Sequence, residues 1–222
     1  MSAYVYVDGF NLYYGAFGRE RGWNSGGLKW LDLAALASHV WPALSPVRRV
    51  RYFTARVKAP VSDPQMATRQ QTYLRALRAV GVEIHLGTFK LRRKHVRLTG
   101  LPPQFPPYTA SIVLSAEAEI GKYDEKGSDV NLATYLLRDV AKGDCTTAIV
   151  VSNDSDLVEP IRVAQSEFGA AVYLINPQRR AVAELTRAAT SARDLSLSTL
   201  AACQLPAQLT DSVGTITRPA DW

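Results

Sequence analysis

The stretch TTAIVVSNDSD, residues 146–156, carries most of the fold decision. Thr146–Val151 is an unbroken apolar and β-branched run, the composition of a strand buried on both faces. A turn over Ser152–Ser155 follows, and then a predicted helix over Leu157–Phe168. Ala3–Val7 has the same character, a short buried strand closed by the turn signal Asp8-Gly9. Working outward, strands are predicted over Val47–Val57, over Val82–Phe89 running into the basic segment Lys90–Arg97, over Ser111–Ala116 and over Ala170–Ile175. Helices are predicted from Asn11, over Trp30–Val40, over Asp63–Val80 with Gly81 as its C-cap, over Asp129–Val140 and over Val182–Ala189. In the Asp129–Val140 helix, Val130, Ala133, Leu136, Leu137 and Val140 share one side. Gly22–Gly27 and the four-proline stretch Leu101–Pro107 read as loops.

Short strands alternating with longer helices argue an α/β fold, a mainly parallel sheet with helices on both faces. The reading is one domain over residues 1–195. The tail over 196–222 is weakly patterned and is expected to pack back on the domain or to be partly mobile.

With 222 residues, 47% hydrophobic and 21% charged, the chain is neither disordered nor fibrous. No apolar run reaches the ~18–20 residues of a membrane span, and MSAYVYVDGF lacks the basic start and cleavage site of a secretory signal, so no membrane partner and a cytoplasmic location are expected. Two cysteines, Cys145 and Cys203, supply neither a disulfide framework nor a Cys-rich zinc site.

The net charge of +6 is unevenly spread. Between Arg48 and Arg97 there are thirteen Lys and Arg against two Asp and Glu; elsewhere there are thirteen against eighteen. Such clustering fits either a polyanion-binding face beside an acidic site or ordinary solvated helix and strand surfaces.

In an open parallel sheet, sites form at the carboxyl ends of strands. Asp8 ends the first strand, Asp154 and Asp156 follow the Thr146–Val151 strand, and Asp129 opens a helix. Carboxylates converging at one sheet edge repel one another and raise each other's pKa unless a cation intervenes, and hard oxygen ligands favour Mg²⁺ or Mn²⁺. Such ions support phosphodiester hydrolysis. Asn11 is placed to orient substrate or a water, and Ser152 to hold a neighbouring carboxylate. Taken singly, each aspartate also has a plain structural explanation. Asp8-Gly9 is a common turn, Asp129 or Ser128 suits a helix N-cap, and Asp156 with Glu159 fits a capping box.

Three segments in order, Tyr4-Val5-Tyr6-Val7-Asp8-Gly9-Phe10-Asn11, Lys126-Gly127-Ser128-Asp129-Val130-Asn131-Leu132-Ala133 and Ser152-Asn153-Asp154-Ser155-Asp156-Leu157, resemble the NYN domain family of the PIN-like, FLAP-nuclease-like superfamily. The resemblance runs from the first strand to Asn176-Pro177. It implies a Rossmann-like three-layer α/β/α sandwich and an acidic pocket for Mg²⁺ or Mn²⁺, with ribonuclease activity on RNA. By the motif match, Asp8, Asp129, Asp154 and Asp156 would be the metal-binding acids, with Asn11 beside them. Lys126 and Ser152 would then lie against substrate. Arg92, Arg93, Lys94 and Arg97 are the candidates for gripping a phosphate backbone, with Tyr52, Phe53 or Tyr108 as stacking partners. Tyr13, Tyr14 and Trp23 suit either base stacking or the core. Two other readings stay open: a domain that binds nucleic acid without cutting it, and an oxidoreductase acting on a small aromatic such as a pyridine. The latter lacks a G-x-G-x-x-G motif after the first strand and a histidine cluster for iron. An exposed apolar helix face would favour a homodimer.

Overall fold

In the computed structural model, β1 (Ala3–Asp8) is hydrogen-bonded on one side to β2 (Val47–Thr54) and on the other to β6 (Thr147–Val151), both parallel. The structure describes residues 3–18, 27–97, 117–220 and 222; of the strands Thr88–Arg97 and Glu117–Lys126 it describes the side chains of residues 88–90, 93, 125 and 126. With β3 (Glu83–Leu86), β7 (Ala171–Asn176) and β8 (Ser191–Asp194), the main sheet has the order β3-β2-β1-β6-β7-β8, and every neighbouring pair in it is parallel. The chain works outward through β2 and β3, returns, and works outward again through β7 and β8. The order therefore reverses between β1 and β6, where ligands of open α/β sheets bind.

Side chains alternate across this sheet and build a core on each face. Val5, Val7, Ile149 and Val151 pack with α1 (Gly9–Phe17), α2 (Leu33–Val40) and α3 (Met66–Ala79). Tyr6, Ala148, Val150 and Leu174 pack with α4 (Ser128–Ala141), α5 (Val158–Ser166) and α6 (Ala183–Ala188). This is the three-layer α/β/α sandwich expected from the alternation. Helix α2 shows how local sequence sets an element. Asp32 accepts from the amides of Ala34 and Ala35 at its start, and Leu33, Leu36, Ala37 and Val40 form its buried stripe. After it, α7 (Leu197–Ala202) and the hairpin β9 (Gln208–Asp211) with β10 (Gly214–Thr217) place Leu200, Leu205, Ile216 and Trp222 in the same core as α1–α3. Among the described residues no helix is long and apolar enough to cross a membrane.

Two expectations need correction. The predicted strand Val82–Phe89 breaks at Gly87: β3 stops at Leu86, and β4 (Thr88–Arg97) leaves the sheet to pair antiparallel with β5 (Glu117–Lys126). Strand-forming residues run straight through Gly87, so composition does not mark the break. Residues 117–126, EAEIGKYDEK, are too charged to read as a strand, and they pair with β4 along its whole length. The predicted strand over 111–116 lies outside the described residues.

The second correction concerns Arg51, one of the basic cluster. It is 2% exposed, and its Nε and Nη2 donate to the carboxylate of the fully buried Asp139 in α4 at 2.8 and 3.2 Å. The Tyr6 hydroxyl donates to the same carboxylate at 2.9 Å, and Glu83 takes another guanidinium N–H. Arg51 serves the interior. Removing one partner of such a pair strands a buried charge. Asp139→Ala is expected to cost about 3–5 kcal/mol in urea unfolding. Glu159→Ala, which breaks an exposed pair with Arg162 at 3.7 Å, is expected to cost about 1 kcal/mol or less. Equal losses would contradict the buried-pair assignment.

Candidate metal centre

Asp8 is the last residue of β1 and the N-cap of α1, its Oδ1 accepting from the Asn11 amide at 2.9 Å. The helix can start there because residue 9 is glycine. A Cβ at Gly9 would sit 2.6 Å from the Tyr52 ring and hydroxyl and 2.8 Å from the Phe53 carbonyl oxygen. On the neighbouring strand, β6 ends at Val151, and Ser152 donates from Oγ to Asp8 Oδ2 at 3.0 Å. The same Oγ accepts the Asp154 amide at 3.1 Å, and Asp154 Oδ1 accepts the Asp156 amide at 3.0 Å, capping the short 3-10 turn Ser155–Leu157. Asp129 arrives from the opposite layer. Gly127, at φ +97°, turns the chain out of β5, and Asp129 lies in the first turn of α4.

One carboxylate oxygen each from Asp8, Asp129 and Asp154 lies within 4.8 Å of the other two. Asp8 is 3% exposed, and Asp129 and Asp154 are half-buried. Burial pushes the Asp8 carboxyl up to about 7, opposed by the Asn11 amide and Ser152 and reinforced by Asp129 and Asp154. Burial also pushes Asp129 up to about 6, with Asp154, Glu125 and Asp156 adding to it and Lys126 opposing it. Among the described residues no Lys or Arg is ion-paired with these three acids. A cluster that is all oxygen and converging, with no ion pair to any of its three acids among the described residues, fits a hard divalent cation.

The fourth expected acid, Asp156, is exposed and falls outside this group; it faces a groove of about 440 Å³ shared with Glu125, Lys126 and Asp129. Lys126 is exposed on the same groove. Asn11 is a strut. Its Oδ1 accepts the Asn153 amide at 3.0 Å and Gln178 Nε2 at 3.1 Å, tying α1 to the loops after β6 and β7. Ser152, expected against substrate, is 0% exposed, with its hydroxyl hydrogen-bonded to Asp8 and to the Asp154 amide.

Arg93 is exposed on β4. Arg92, Lys94 and Arg97 are on the same strand, with their side chains outside the described set. These four positions lie four to nine residues, about 13–30 Å along the strand, from the Thr88–Lys126 pair that adjoins the centre. Of the expected stacking partners, Phe53 is fully buried against His85 and Tyr135. Tyr108 and Trp23 lie outside the described residues.

Sequence reasoning missed three residues. Glu125 accepts from both the amide and hydroxyl of Ser128, at 3.1 and 2.8 Å, and steadies the start of α4. Asn153 donates to Gln178 Oε1 and to the Arg180 carbonyl, both at 2.9 Å. Gln178 follows β7, so the strand-end rule that singled out Asp8 would have found it had it been applied to Ala170–Ile175.

The family model for the NYN domain matches residues 2–196. Over 242 aligned positions the chain is 28% identical to the 6-hydroxy-3-succinoylpyridine 3-monooxygenase HspA of Pseudomonas putida, covering 98% of this chain and 74% of that protein. A crystal structure of a protein of unknown function from Vibrio parahaemolyticus superposes with a TM-score of 0.53 at 17% identity, over 88% of this chain and 93% of that one, a likeness of fold alone. The match of the domain model over residues 2–196, a span that includes both core layers and the three acids, establishes that this chain belongs to the NYN domain family.

Proposed function

We propose that this protein is a divalent-metal-dependent ribonuclease. The observation that carries the reading is the convergence of Asp8, Asp129 and Asp154 at the sheet's switch point in a chain of the NYN family, a family of nuclease-like domains. Those three acids are the residues that would hold Mg²⁺ or Mn²⁺. Such an ion supplies Lewis acidity, lowering the pKa of a water and taking up charge on a phosphate oxygen. The protein's part is positioning. Ser152 and the Asn11 amide fix both oxygens of Asp8, and Ser152 fixes the Asp154 backbone. Asp156 and Glu125 make the adjoining groove acidic, so a phosphate backbone is repelled until a cation is present; Lys126 offers the local positive charge that draws it in. Hydrolysis adds water to phosphorus and breaks one P–O bond to ribose, with the proton passing to the departing oxygen.

One observation favours a second reading. An apolar, ring-lined cavity adjoins Asp8, and the Pseudomonas relative is named for chemistry on a pyridine. A visible chromophore in the purified protein, or consumption of a nicotinamide reductant with a hydroxypyridine, would support that reading over the nuclease.

Under the nuclease reading, labelled RNA is cleaved with Mg²⁺ or Mn²⁺ and not with EDTA. Asp8→Asn and Asp154→Asn lower the rate by about 100-fold or more, and Asp156→Asn, outside the three-acid group, by about tenfold or less. Cleavage that survives EDTA or both substitutions would reject the centre.

The buried charge also has a thermodynamic signature. With its carboxyl at about 7 in the folded chain and near 4 when unfolded, Asp8 binds more protons in the native state across that window, so its contribution to stability falls as pH rises from about 4 to 7. In EDTA, Asp8→Asn is therefore expected to stabilise the protein by roughly 2–4 kcal/mol at pH 8 relative to its effect at pH 4. Thermal unfolding of both proteins across that range measures the difference. A pH-independent effect of the substitution would refute the uncompensated charge.

A further inference from the structure

Helix α1 has two working sides. Its N-cap, Asp8, belongs to the acid centre, while Gly9, Phe10, Tyr13 and Tyr14 line an apolar cavity of about 50 Å³. A water needs roughly 10–15 Å³ of such space, so the cavity holds a few waters side by side, about the room of one six-membered ring. Its lining is built of rings. Phe10 and Tyr14 are stacked at 15° with centroids 6.3 Å apart, and Tyr13 meets Tyr14 edge-on at 5.4 Å. Tyr52 and Tyr73 close the floor. Tyr52 and Tyr73 belong to the core and Phe17 packs against it, but Tyr14 is 60% exposed and Phe10 and Tyr13 are only half-buried. Lys29 stands at the lining with Nζ 3.3 Å from the Tyr13 hydroxyl and 5.2 Å from the ring centroid. A cation thus lines the cavity, and the acid centre adjoins it through Asp8, next in sequence to the lining Gly9.

We propose that this cavity receives one base of the nucleic-acid substrate, stacked on the ring of Tyr14 with the Tyr13 ring against its edge, with an adjoining phosphate directed to the acid centre and the next part of the backbone to Lys29. The inference rests on the nuclease reading and adds a base subsite to it. Every base has a π-face, so a ring-lined slot takes bases with little sequence discrimination, and its size favours the single ring of a pyrimidine. A free aromatic would use the rings but would leave the one-residue junction of cavity and acids, Asp8-Gly9, without purpose. A nucleotide spans both.

The test is calorimetric titration of the full chain, in Mn²⁺, with uridine 3′,5′-bisphosphate, uridine, inorganic phosphate and nicotinate. The bisphosphate carries a phosphate on both the 3′ and 5′ oxygens of its ribose and has no diester to cut. It is expected to bind more tightly than phosphate or uridine. Tyr14→Ala is expected to weaken it about five- to 150-fold, the range found for loss of one base–aromatic stack, and Tyr13→Leu to weaken it by less, with phosphate affinity unchanged in both. Tyr14 is exposed, so its substitution leaves folding intact. Equal affinities for bisphosphate and phosphate, ring substitutions without effect, or tighter binding of nicotinate than of the nucleotide would each overturn the subsite. RNA cleavage measured in parallel separates the two readings. Cleavage that both ring variants retain at every base overturns the subsite and leaves the nuclease, whereas stacked nucleotide binding by a wild-type protein that cuts nothing upholds the subsite and removes the nuclease.

Discussion

The parallel register between β1 and β6 sets Val7 opposite Val151, and therefore sets Asp8 and Ser152 side by side at the point where both strands run out. Everything at the centre is referred to that pairing. The Ser152 hydroxyl bridges the gap to Asp8 and takes the Asp154 amide, so the second acid is located by the first through one oxygen atom. Asn11 repeats the bridge a turn later through Asn153 and Gln178. A slip of one residue would exchange the faces of β6, burying Ser152 in the wrong layer and turning both cores inside out.

This arrangement is electrostatically costly. A carboxylate 3% exposed, next to two more and paired with no cation of its own among the described residues, opposes folding at neutral pH. The two apolar layers offset it, with Val5, Val7, Ile149 and Val151 wholly removed from water on one side and Ala148, Val150 and Leu174 on the other.

Much of this was legible in the sequence for identifiable reasons. The main sheet's inner strands were readable because an all-apolar run has few other fates, and Asp8 and Asp154 because they directly follow such runs. Asp129 was readable only through its motif, since a first-turn aspartate is common on any helix. Arg51 looked like its neighbours Arg48 and Arg49; only the pairing of β2 with β3, and the packing of α4 across them, reveals that it faces Asp139. The ribbon of β4 and β5 was hidden because its sequences, TFKLRRKHVR and EAEIGKYDEK, are charged throughout and carry no clear hydrophobic alternation. The rings of α1 suited core and ligand equally, and only their partial exposure around a cavity separates those fates.

The pair between Arg51 and Asp139 has a further geometric consequence. Asp139 stands ten residues along α4 from Asp129, about 15 Å at the helical rise. A fixed guanidinium in β2 thus pegs the far end of a rigid rod whose near end delivers an acid to the centre. Sliding or swivelling of α4 is resisted at the tail, ten residues from the acid it carries. The span of the three-acid cluster is in this sense calibrated from three helical turns away.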